Sequence, residues 1–248
     1  MRRARILAVI SLALLCCRAP GAHADTDPDE ELVCSITAWG LPVAKGVMRI
    51  WNSTDFEGRP ARRVLAEGET TGIFFLLYRV KDAMESISDP KTLLPFYFRV
   101  HFEEGGYRRI QEFRFDQLRK VITGGDGGVL PMLGPTHDPL SAIMFLRSSP
   151  LMEGSVVQGT VSDGCKMYPI EAKVVKGEER KVMGKNAPCW LVEPKLQAVE
   201  LGGLLKNNKF KTFMTWLTQD GDQIPVLAKG DLFLGALLIK LKERKVRL

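Results

Sequence analysis

His137, Asp138 and Ser141 are near neighbours, and imidazole, carboxylate and hydroxyl are the groups from which a nucleophilic hydrolase assembles its proton relay. Such a relay requires a base within hydrogen-bond reach of the nucleophile and a third group that orients the base. The local sequence offers these side chains a different use. Asp138 stands directly before Pro139, so its carboxylate can accept from the free N–H groups of a helix that begins at Pro139, where a missing N–H costs nothing. Ser141 then falls in the first turn and can bond the backbone, and the sequence holds no Gly-x-Ser-x-Gly elbow. Helix initiation accounts for Asp138 and Pro139 better than catalysis does, so no catalytic residue is assigned. Arg147, at the far end of the same helix, has three options. It can face the terminal carbonyls, form a fork with Asp116 or Asp138, or meet a carboxylate or phosphate on a ligand. An ion pair that fixes the helix against the sheet is the preferred reading.

Other chemistries find less support. Beyond the first 24 residues the histidines are His101 and His137, and no His-x-x-x-His or Cys-x-x-Cys pair suggests a metal. The run 123–128, Thr-Gly-Gly-Asp-Gly-Gly, shares only its glycine content with a phosphate-cradling loop, since no Gly-Lys-Ser/Thr follows it, and it reads as a mobile loop. No cofactor is implied. Cys34, Cys165 and Cys189 leave two readings open: a Cys165–Cys189 disulfide with Cys34 as a buried thiol, or three unpaired buried thiols.

The chain opens with Arg2, Arg3 and Arg5, an apolar run from Ile6 to Cys17, and Ala22-His23-Ala24. That run is too short to span a bilayer and the small-x-small triplet suits a signal peptidase, so 1–24 reads as a cleaved export signal and the periplasm as the destination. Without Arg2, Arg3, Arg5 and Arg18 the formal charge of +6 falls to +2, which gives no reason to expect nucleic acid as a partner. No later apolar stretch is long enough for a membrane span, so an integral membrane protein is not expected. The basic end, Lys240, Lys242, Arg244, Lys245 and Arg247, can meet anionic head groups, but a solvated strand end is the simpler reading.

The elements that must position these residues are mainly β. Residues 25–31 read as a flexible lead-in and 32–248 as a single β-rich domain. Alternating patterns predict strands at 32–38, 43–51, 62–69, 96–103, 107–116, 155–162, 166–176, 179–182, 189–194, 210–218, 224–228 and 232–242. Turns are expected at Asp163-Gly164, Lys176-Gly177, Asp220-Gly221 and Lys229-Gly230, and Pro225 calls for an edge or a bulge. Ile73, Leu76, Leu77, Val80, Met84 and Ile87 sit three or four residues apart, which predicts a helix from Thr71 to about Ala83, although 73–77 would also serve a buried strand, and 85–88 return to strand. A second helix over 139–147 presses Leu140, Ile143, Met144 and Leu146 onto the strands. The whole is a curved antiparallel meander, a barrel or half-barrel with one or two short helices. Phe74, Phe75, Phe96, Phe98, Phe113, Met144, Phe145, Phe213 and Trp216 either line a cavity or fill the core, because alternation identifies a buried face but not what fills it.

The stretch 138–147, Asp-Pro-Leu-Ser-Ala-Ile-Met-Phe-Leu-Arg, resembles the signature of the exported bacterial family known as domain of unknown function 3108. Phe115-Asp116, Pro150-Leu151 with Gly154, and Trp216-Leu217-Thr218 with Asp220 and Ile224-Pro225-Val226 resemble its other recurring elements, in its order. The resemblance implies a largely β fold in the bacterial envelope and brings no reaction with it. Residues 123–128 and the basic end depart from the pattern. The expectation is a non-catalytic periplasmic protein that binds an apolar or amphipathic ligand, a lipid or envelope glycan, or an envelope protein. The alternatives are an assembly scaffold with a filled core and a hydrolase acting through paired carboxylates.

Overall fold

The computed structural model describes residues 27–196, 213–232 and 235–247, so the expected export signal, 1–24, and residues 210–212 and 233–234 of two predicted strands lie outside the described residues. Alternating side chains make most of the chain strand. β1 (Glu30–Ala38), β2 (Leu41–Phe56) and β3 (Arg59–Thr70) are joined by two-residue turns at Trp39-Gly40 and Glu57-Gly58, all four with positive φ. After a six-residue helix, α1 (Gly72–Leu77), come β4 (Lys81–Ser88), β5 (Pro95–Glu104), β6 (Tyr107–Asp116), β7 (Val121–Gly124) and β8 (Val129–Pro131). Then α2 (Pro139–Ser148) leads into β9 (Val156–Ser162), β10 (Met167–Val182), β11 (Lys185–Leu196), β12 (Phe213–Thr218), β13 (Pro225–Leu232) and β14 (Gly235–Val246).

All pair antiparallel in one open, curved 14-stranded sheet in the order β8-β7-β6-β5-β4-β3-β2-β1-β14-β13-β12-β11-β10-β9. β1 and β14 therefore meet in the middle, from Glu30 opposite Val246 to Ala38 opposite Leu237. The sheet curls until its two arms touch. Gly164, in the β9–β10 turn, lies so close to β6 that a Cβ there would stand 2.3 Å from the Phe113 ring, and Met167 of β10 joins Phe98, Phe113, Phe115 and Ile122 in one buried cluster. On the β9 edge, the His137 N–H donates to the Thr160 carbonyl at 2.8 Å and the Ser162 N–H to the His137 carbonyl at 2.8 Å, which brings the start of α2 into the gap.

Four local expectations change. The helix predicted to reach Ala83 stops at Leu77, and β4 follows. β4 lies between β3 and β5 with Asp82, Ala83, Ser86 and Ile87 all buried; a strand covered on both faces loses its period of two, and its apolar spacing imitated a helix. Lys176-Gly177 is not a turn. β10 continues through a bulge between Val174 and Lys176, and Gly177 is small because a Cβ would come within 2.6 Å of Gln219 Nε2. β13 likewise runs through Lys229-Gly230, while Pro225 does sit opposite a bulge, between Trp216 and Leu217. Residues 123–128, read as a mobile loop, form the β7–β8 hairpin, with the Gly125 N–H held by the Glu112 carbonyl at 2.8 Å and the Gly128 N–H by Asp126 Oδ1 at 2.9 Å.

Candidate functional site

α2 is tied to the sheet at both ends. At its start, Asp138 Oδ1 accepts from the N–H groups of Leu140 (2.8 Å) and Ser141 (2.9 Å), while Ser141 Oγ accepts from the Asp138 N–H at 3.0 Å, a reciprocal capping box. Asp138 Oδ2 accepts from Ser86 Oγ of β4 at 2.5 Å. Burial pushes the Asp138 carboxyl up to about 6 against these hydrogen bonds, which favour the charged form. His137 is buried and stacks on Phe145 with ring centroids 4.7 Å apart, and burial lowers its pKa. The Ser141 Oγ to His137 Nδ1 distance is 3.4 Å, but Asp138 is engaged with Ser86 and the helix N-terminus instead of orienting the imidazole. Ser141 is itself 1% exposed, so this geometry is that of a cap.

At the other end, Arg147 is 8% exposed and meets Glu30 of β1, with Nη1 2.8 Å from Oε2 and Nη2 donating to Oε1 at 3.2 Å. Its Nε donates to the Asp222 carbonyl at 3.2 Å. Arg244 of β14 donates from Nε to Glu30 Oε1 (2.7 Å) and from Nη2 to Asp222 Oδ2 (2.8 Å). Gln223 Nε2 donates to the carbonyls of Arg147 (2.6 Å) and Ser149 (2.8 Å), satisfying the end of the helix. The β12–β13 turn that carries Asp222 and Gln223 is shaped by Asp220 Oδ1, which accepts from Thr218 Oγ1 at 2.7 Å and from the N–H groups of Asp222 and Gln223 at 3.1 Å each. Thr218 Oγ1 in turn accepts from the Ile224 N–H at 2.9 Å. Two strands, β4 and β1, and the β12–β13 turn thus converge on one ten-residue helix.

Residues 33–242 match the family described as protein of unknown function (DUF3108). The chain belongs to this family. A β-barrel-like protein of domain of unknown function DUF1849 from Brucella abortus has a similar fold at 12% identity, with a TM-score of 0.57 over 88% of this chain and 97% of that one. A Bacteroides fragilis protein with a YmcC-like fold (TM-score 0.35, 10% identity, 89% and 97% covered) and a DUF1089 family protein from Pseudomonas aeruginosa (0.31, 11%, 85% and 95%) are similar only in outline. No curated protein matches the chain.

Of the segments that carry the DUF3108 resemblance, the β12–β13 turn meets α2 directly, but the charged pairs are not those expected. Arg147 forks with Glu30, not with Asp116 or Asp138. Asp116 instead accepts from the N–H groups of Leu118 (3.1 Å) and Arg119 (2.8 Å), and the next residue, Gln117, holds the Thr136 backbone with Nε2 2.9 Å from its carbonyl. Leu140 and Met144 are buried, whereas Ile143 faces outward. The candidate aromatics are scattered among separate clusters. Phe98 and Phe113 stack at 6.3 Å, Met144 and Phe145 join Ile50 and Val64, and Phe96 stacks on Phe56. Phe74 packs near Ile36, and Trp216 packs with Leu32 and Leu241 while its indole N–H donates to Glu178 Oε1 at 2.6 Å. Phe213 is half-buried, and Phe75 lies exposed beneath Arg79. A depression of about 260 Å³ opens on the β9–β10 ribbon between Gln158, Gly159, Pro169, Ile170 and Glu171 and borders none of these aromatics.

Cys165 and Cys189 are both free, the first exposed and the second buried, and Cys34 is half-buried with its thiol pushed up to about 11. Glu30 escaped the sequence reading because it fell within the stretch 25–31 taken as lead-in. The signal was present: Leu32, Ile36 and Ala38 alternate inward along β1, and the same parity carried back puts Glu30 inside.

Proposed function

We propose that this DUF3108 protein is an exported, non-catalytic component of the cell envelope that binds an amphipathic lipid at an apolar rim, with its barrel-like body serving as a rigid support. The observation that carries this reading is α1. None of its residues is buried, and Ile73, Leu76 and Leu77 are 65%, 82% and 72% exposed. Trp39, in the β1–β2 turn, and Leu41, the first residue of β2, lie at the same end of the sheet and are 46% and 54% exposed. A helix of six residues has no stability of its own in water, and a contiguous apolar patch on a surface marks an interaction site. The packing of the candidate aromatics into separate clusters supports an outer site over an inner one.

Vesicles of phosphatidylcholine with phosphatidylglycerol, co-sedimented with the mature protein, test this. Wild-type protein is expected in the pellet, and a Leu76→Asp/Leu77→Asp variant should bind at least about tenfold less with an unchanged melting temperature, because two Leu side chains each worth roughly 1.5–3 kcal/mol no longer enter lipid. Equal binding by the two proteins, or none by either, refutes the reading and points to a protein partner for the rim.

A further inference from the structure

The end of the sheet opposite α1 holds an unbalanced group of arginines. Arg62 of β3, Arg147 of α2 and Arg244 of β14 converge there, and the charges that face them are Glu30 and Asp222. Glu30 is divided between Arg147 and Arg244, and Asp222, with its side chain 57% exposed, serves Arg244 alone. Arg62 receives neither. Among the described residues no hydrogen bond or ion pair reaches it, and its Nε is buried without an acceptor. Arg147 Nη1, although 2.8 Å from Glu30, is likewise buried and out of hydrogen-bond alignment with any acceptor. Burial and the charge of Arg147 both press against the charged state of Arg62, while Glu30 relieves it only in part.

Desolvating a guanidinium costs several kcal/mol unless a counter-charge and hydrogen-bond acceptors repay it, and here two buried N–H groups lack acceptors while three positive charges face two negative ones. One further negative charge carrying oxygen acceptors would correct both deficits. The planar fork of arginine matches the oxygens of a phosphate or carboxylate. We infer that Arg62 and Arg147, steadied by Glu30 and Arg244, form a binding site for one oxyanion, a phosphate or carboxylate group. The site lies at the other end of the sheet from the apolar rim and does not depend on it.

Thermal unfolding of the mature protein in chloride, acetate and inorganic phosphate, at neutral pH and matched ionic strength, tests the site and separates the two oxyanions. Whichever anion binds should raise the melting temperature above that in chloride by about 3 °C when present at roughly ten times its dissociation constant. That increment should vanish in Arg62→Met and survive in part in Arg62→Lys, which keeps the charge and loses the fork. In chloride, Arg62→Met should melt at or above the wild-type temperature, because it removes an unpaired charge. Equal melting in all three salts overturns the inference, and so does an increment that Arg62→Met retains, which would be a general salt effect. An Arg62→Met protein that unfolds several degrees lower in chloride, or fails to fold, also overturns it, since Arg62 would then have a structural partner.

Discussion

Asp138 and Asp82 are buried carboxyl groups whose surroundings favour the proton. Burial raises Asp138 to about 6, and burial with the nearby charges of Glu103 and Glu104 raises Asp82 to about 7, from an ordinary 3.8. Over the interval between 3.8 and each raised value, the folded chain holds a proton that the unfolded chain has released. These groups therefore contribute their full stability below the unfolded value and lose it as the pH climbs through 6 and 7, opposite to the usual ion-paired carboxylate. Asp138→Asn should remove its share of this slope, because an asparagine caps a helix about as well as aspartate and its amide N–H can donate to Ser86 Oγ. Melting temperatures measured from acid to neutral pH should converge on wild type at low pH and lie at or above it near neutrality. Asp138→Ala should instead cost about 2 kcal/mol near neutrality and more in acid, because it removes the same slope and also leaves two backbone N–H groups and the Ser86 hydroxyl without their acceptor. A slope unchanged in Asp138→Asn would mean that Asp138 stays ionised throughout. The capping role itself was legible, since Asp-Pro before an apolar run has one strong structural meaning. The Ser86 bond, between residues remote in sequence, had no local signal.

At the level of elements, α2 is too short to hold together alone and persists because Glu30, Gln223 and Ser86 reach it from β1, the β12–β13 turn and β4. Glu30→Ala would leave Arg147 and Arg244 facing each other with their shared counter-charge gone. Breaking a buried pair from one side costs about 3–5 kcal/mol, a loss to be read from the midpoint of urea unfolding. A shift under about 1 kcal/mol would show that water replaces Glu30 readily. Strands with one solvated face were readable to within a few residues: 107–116 was placed correctly because outward Glu112 and Arg114 alternate visibly with inward Phe113 and Phe115. The first half of β4 was misread as helix for the opposite reason, while its second half, 85–88, was read as strand. The Arg147–Glu30 pair was beyond reach because it joins residues 117 positions apart in sequence, and such contacts follow from sheet order, which periodicity does not encode.

For the whole molecule, curvature depends on the close approach of Gly164 to Phe113. Gly164 combines a φ of +89° with contact distances no side chain fits, so Gly164→Ala should destabilise by about 2 kcal/mol or more. The same change in a Phe113→Ala background should cost much less, and additive costs in a double-mutant cycle would place the strain in the turn backbone alone. The barrel-like outline was legible from regular strand spacing, yet the order of strands was not. That order has a kinetic consequence. β1 to β8 and β9 to β14 are each assembled from neighbours in sequence, whereas the β1–β14 seam joins the first strand to the last. Hairpin-by-hairpin growth is fast and long-range closure is slow, so each half-sheet forms before the seam does. Until β14 arrives and docks, the chain presents four open strand edges instead of two, and it is in that interval that it is most exposed to mispairing with its neighbours.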